Sequence, residues 1–186
     1  MKWLDRLFGG LNDMAALPAG TKAPEFSLPA VIGGKNNKET VGTFSLQAAL
    51  QQGPVLAAFF KVSCPTCQYT FPFLERLHKA HGDKKITIVG ISQNNQSETA
   101  GFLKEYGVTF PTLLDDPNGY AVSNAYGLTN VPTLFLIAQD GQIEITSVGW
   151  VKQDVEDINR KLAAVRQTPP TPIFEPGEDV RDARPG

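Results

Sequence analysis

An uninterrupted apolar run of strand length, "VLAAFF" (residues 55–60), and a second buried strand, "ITIVGIS" (86–92), lie on either side of a helical stretch that closes at Gly82. A strand with no apolar–polar alternation has no face to offer water, so it belongs inside a sheet covered on both sides. The rest of the chain between Gly20 and Arg166 continues the alternation. "EFSLPAV" (25–31) reads as a strand followed by a turn at "GGKNN", and "TFSLQAAL" as a short helix from near Ser45, ended by Gly53 and Pro54. A helix is expected from about Cys64 to His81, another over 97–107, a short strand at 112–116 and a brief helix at 120–127. Asp140-Gly141 between the apolar runs 133–138 and 142–149 marks a hairpin. A final helix places Val151, Val155, Ile158, Leu162 and Val165 on one stripe. Strands alternating with helices, closed by a hairpin and a helix, predict an α/β sandwich around a mixed sheet.

At 186 residues, with 41% hydrophobic and 19% charged residues, the chain has the composition of one ordinary globular domain with extensions. The domain is expected over residues 19–166. In the N-terminal extension, residues 1–18, Trp3, Leu4, Leu7, Phe8 and Leu11 recur at helical spacing, which predicts an amphipathic helix. Residues 3–11 would then pack on the domain, on a partner or on a membrane surface. Asp5 and Arg6 break any apolar core of a secretory leader, and no run approaches the ~20 apolar residues of a membrane span. The expected location is the cytoplasm; a periplasmic or membrane-associated one requires a leader missing from the sequence. Residues 167–186 hold five prolines among scattered charges and predict an extended tail, flexible or laid across the domain. A net charge of -2 gives no basic patch for nucleic acid.

The chain's two cysteines form the pair Cys64-Pro65-Thr66-Cys67, directly after the 55–60 strand and at the start of a predicted helix. There the unpaired N–H groups of the first turn and the helix dipole favour negative charge on the first sulfur. Thiolate is the species that attacks disulfides, and the second thiol lies one turn on, placed to resolve a mixed disulfide. Pro65 suits the first helical turn. With two cysteines there is no disulfide framework, and any disulfide in the chain joins these two. A structural zinc site needs four ligands; His78 and His81 lie too far down the helix to share a metal with Cys64 and read as helix-end surface residues. No metal is expected. The remaining bland reading is two small buried cysteines.

Residues 20–166 resemble the thioredoxin superfamily, in particular its TlpA/ResA-like thiol–disulfide oxidoreductases with a redoxin (AhpC-TSA-like) domain. The resemblance rests on the "APEFSLP" opening, "FSLQAALQQGPVLAAFF" before the cysteines, Pro72 eight residues after Cys64, and "YGLTNVPTLFLIAQDGQI". It implies a thioredoxin-like sandwich with an N-terminal β extension and a central βα insertion within 96–130. It makes Cys64 the nucleophile and Cys67 the resolving thiol, with Ser63, Pro65 and Thr66 tuning the potential. Val131 and a cis Pro132 would face the dithiol and bind a substrate segment. The implied partners are protein disulfides or dithiols and an upstream thiol reductant, with the dithiol itself as the redox group and no further cofactor.

The chain also departs from the family's pattern. Ser63 stands where tryptophan is usual, Ala58 where thioredoxin has a buried aspartate, and Thr70 where many relatives have a glutamate. Lys61 is near enough in sequence to favour a thiolate but reads as a solvated lysine. The expected consequence is slow exchange at the resolving step. Two alternatives remain: a peroxiredoxin-like peroxidase, although Ala57 and Lys61 stand where its proline and threonine belong, and a binding or redox-sensing module without turnover.

Overall fold

The computed structural model describes residues 15–31, 40–115 and 119–186. The expected amphipathic helix at 3–11, with its contacts, and the "GGKNN" turn lie outside these residues. The element order is β1 Ser27–Val31, β2 Thr40–Ser45, α1 Leu46–Leu50, β3 Val55–Phe60, α2 Pro65–His81, β4 Thr87–Ser92, α3 Gln96–Glu105, β5 Thr112–Leu114, α4 Ala121–Ala125, β6 Thr133–Ile137, β7 Ile143–Val148, β8 Trp150–Val151, α5 Lys152–Arg166 and β9 Ala183–Arg184.

Seven strands form one mixed sheet in the order β2-β1-β5-β4-β3-β6-β7. β3 pairs parallel with β4, and β4 with β5. β6 runs antiparallel to β3, and β7 to β6. All six residues of β3 are buried. Because successive side chains point to opposite faces, Leu56, Ala58 and Phe60 join one core while Val55, Ala57 and Phe59 join the other. The first core takes α2 through Phe71, Leu74 and Leu77, α3 through Phe102 and Leu103, and α5 through Val155, Ile158 and Leu162. The second takes Leu46 of α1 and Val122 of α4. The expected mixed sheet flanked by helices is therefore the fold observed, with β1 and β2 as the N-terminal extension.

The short helix expected from near Ser45 is α1, which starts after Ser45, whose hydroxyl accepts from Ala48 N–H; Thr43 and Phe44 before it belong to β2 and pair with Pro29 and Leu28 of β1. Two local expectations are corrected. Val165 is half exposed, because the buried stripe of α5 ends at Leu162. His81 is not at the surface. Its Nε2 lies 2.6 Å from Asn159 Oδ1 of α5, whose amide donates to Thr171 O at 2.9 Å, so α5 and the chain beyond it close over the end of α2.

Residues 167–186 carry no helix and run back across the α2/α5 side. Ile173 is buried in the first core. The Arg76 guanidinium holds Glu178 in a two-pronged bond at 2.7 and 2.8 Å and also donates to Ile173 O. Trp150 packs on Tyr69, Phe73 and Phe174, and its Nε1–H donates to Arg181 O at 2.6 Å. The segment then pairs as β9 with β8.

Candidate active site

β3 delivers the chain to residue 60, and a turn closed by Cys64 N–H donating to Lys61 O redirects it into α2. Cys64 is the N-cap of that helix, in an extended conformation, with Pro65 in the first turn. Its Sγ accepts the Cys67 backbone N–H at 3.2 Å, so one of the orphan donors of the helix start points at the sulfur. The turn is held from outside: Gln68 Nε2 donates to Val62 O, and Val62 N–H donates to Asn94 Oδ1.

The loop before β6 faces this helix start. The Val131–Pro132 peptide is cis, and the Cys64 thiol donates to Val131 O at 3.2 Å. The structure thus brings together Cys64, Cys67, Val131 and Pro132. Ser63 and Pro65 are exposed beside them, whereas Thr66 is only 6% exposed. Both cysteines are free thiols. Cys64 is half-buried, while Cys67 is fully buried, and burial pushes its thiol far up from the ordinary range; the hydrogen bond and charge of Cys64 push the same way.

Ala58 lies in the same core as Cys67, and Thr70, fully buried, spends its hydroxyl on Thr66 O at 2.7 Å. The buried carboxylate of α2, Glu75, is occupied by Thr109, whose N–H and hydroxyl donate to it at 2.8 and 2.6 Å. Lys61 is exposed, with its amino group 5.7 Å from the centre of the Tyr120 ring. Neither cysteine thus has a carboxylate at the two places where the family pattern puts one.

The sequence profile of the family described as Redoxin matches residues 18–162, most of the chain. The chain belongs to the redoxin family. Among curated relatives of this redoxin is the thiol-disulfide oxidoreductase ResA of Halalkalibacterium halodurans, 30% identical over 105 residues, which are 55% of this chain and 58% of that protein. The thioredoxin-like protein YneN of Bacillus subtilis is 28% identical over 142 residues, covering 74% of this chain and 76% of the relative. A crystal structure described as a thiol:disulfide interchange protein DsbE from Chlorobium tepidum superposes with a TM-score of 0.66 at 26% identity, over 81% of this chain and 99% of that one.

Sequence reasoning missed one part of the site. Thr66 is covered because its hydroxyl donates to Pro185 O at 2.7 Å, and Asn130 Nδ2 donates to Gly186 O at 3.3 Å. Nothing in "RDARPG" resembles a motif, and a contact across more than a hundred residues leaves no periodic trace. The one available signal was the pair of apolar residues Ile173-Phe174 within the proline-rich stretch, enough to dock it.

Proposed function

We propose that this redoxin is a thiol–disulfide oxidoreductase that acts as a reductase of protein disulfides. The observation that carries the proposal is the setting of Cys64: a helix N-cap whose Sγ receives the Cys67 N–H and lies against Val131 O, with a second thiol buried one turn behind. The Cys64 thiolate attacks one sulfur of a substrate disulfide, forming a mixed disulfide and releasing the first substrate thiolate, which takes up a proton. Cys67, once deprotonated, attacks the Cys64 sulfur, forms the Cys64–Cys67 disulfide and releases the second substrate thiol. Two electrons have then passed from the dithiol to the substrate, and an upstream thiol reductant restores them. The electron pair stays on sulfur throughout, so the proposed reaction calls on no metal, flavin or nucleotide.

Substrate backbone is expected to lie along the Val131–Pro132 loop, with Ser63 and Pro65 exposed to it and Thr66 setting the potential from within the first turn. A peroxidase gains nothing from this geometry, since exposed Lys61 holds the place of the threonine that would activate peroxide. Among the described residues no helix is long and apolar enough to cross a membrane. A cytoplasmic location makes the chain a general or dedicated reductase. A location outside it, like that of a Mycobacterium tuberculosis structural relative described as secreted, makes it a reductase of particular disulfides in an oxidising compartment.

The test is the reduction potential of the Cys64–Cys67 couple, equilibrated in thiol/disulfide buffers with Cys67→Ser as control. A value near about -270 mV or lower supports the reductase, and one near about -120 mV reverses the direction of flow. No reversible two-electron couple at all leaves a redox-silent binding module.

A further inference from the structure

The chain's own residues 183–186 lie across the mouth of the dithiol. β9 brings them in along β8, and three elements around Cys64 then hold them: Thr66 of the motif through Pro185 O, Asn130 of the cis-proline loop through Gly186 O, and the turn at Gly149. The fit is close on both sides. A Cβ at Gly149 (φ 75°) would come within 2.5 Å of Arg184 O, and one at Gly186 within 2.6 Å of Val131 O. That second carbonyl is the one the Cys64 thiol donates to. The Arg184 guanidinium, 4.7 Å from the centre of the Tyr69 ring, completes the seat.

We propose that residues 183–186 are an internal ligand of the surface on which a substrate polypeptide docks, a strap that competes with protein disulfides for Cys64. The inference rests on the oxidoreductase reading and adds a sorting rule to it. An extended substrate backbone needs the space beside Val131 that Pro185 and Gly186 fill. A small disulfide needs only the sulfur itself, and Cys64 remains half-exposed beside exposed Ser63 and Pro65. Among the described residues the strap's own attachments are few: one two-residue ladder, two side-chain hydrogen bonds and one ring contact. Its root is secured independently by the Trp150–Arg181 and Arg76–Glu178 bonds. The strap therefore lifts without undoing the fold, and the dithiol serves folded substrates only in the lifted state.

The experiment compares the full chain with a chain ending at Asp182, using insulin as the protein disulfide and 5,5′-dithiobis(2-nitrobenzoate) as the small one. Removing a competitor raises apparent affinity by the reciprocal of the open fraction. The truncated chain is expected to gain on the order of tenfold in kcat/KM for insulin and less than about twofold for the small disulfide. Arg184→Ala in the full chain, which removes only the ring contact, should shift insulin turnover the same way by a smaller factor; it decides the matter if the truncated protein misfolds. Unchanged insulin turnover in a variant that still reduces the small disulfide overturns the strap alone, as does an equal gain on both substrates. If no form of the chain turns over either substrate, the oxidoreductase reading falls and takes the strap with it.

Discussion

In the proposed exchange Cys67 is expected to set the pace. A resolving thiol must lose its proton before it attacks, yet this one is buried, and Ala58 and Thr70 stand at the two places where the family pattern puts an acid. Burial holds the thiol protonated well above the ordinary thiol range. Far below its pKa, the thiolate fraction rises about tenfold per pH unit. Decay of a pre-formed Cys64 mixed disulfide should therefore accelerate by about that factor per unit between pH 7 and 9, followed by acid quenching and mass measurement. A flat profile would reveal an internal base. In Cys67→Ser the mixed disulfide should persist at every pH. The same raised thiol also acts on folding. Its contribution is intact below the ordinary thiol pKa and declines as pH rises above it, because the unfolded chain gives up that proton first.

At the scale of elements, α2 both presents the cysteines and anchors a core. Leu74 and Leu77 are fully buried in that core, on the face away from solvent. Leu77→Ala should cost about 2–5 kcal/mol, seen as a lower denaturant midpoint, while the Cys64–Cys67 potential stays put because the N-cap geometry is untouched. A shifted potential would mean that packing deep in the helix reaches the sulfur. Elements of this kind were legible in the sequence, since β3 and β4 read as buried strands and α2 lies between them, from the cysteine pair to Gly82. The cysteine pair was legible as well, from the strand before it and the helix after it. β2 was hidden, because "TVGTFS" is mostly small and polar and earns its place by pairing with β1. His81 was misread because its burial is made by α5 and the chain beyond, which local pattern does not encode. The covering of Thr66 was missed for the same reason.

At the scale of the whole molecule, residues 167–186 tie around the seven-stranded sheet flanked by helices. One polar tie is the two-pronged bond of Arg76 with Glu178. The guanidinium's hydrogen bonds, helped by the Glu175 N–H, hold the Glu178 carboxyl down at about 2, against about 4.5 ordinarily. A depressed carboxyl stabilises the fold above its ordinary range and loses that contribution as pH falls toward its folded value. For a partly exposed pair the amount is at most about 1 kcal/mol. Stability measured from pH 5 to 2 should fall less steeply in Glu178→Gln than in the native chain; identical slopes would mean the tie is energetically silent. The placement of Trp150 has an optical consequence. The chain has two tryptophans, Trp3 and Trp150, so Trp3→Phe leaves a single indole. Its ring lies against Tyr69, beside the motif's first turns, and its N–H is bonded to the root of the strap. Emission from that indole is a label-free gauge of what happens around the dithiol, readable on the stopped-flow timescale with no dye attached.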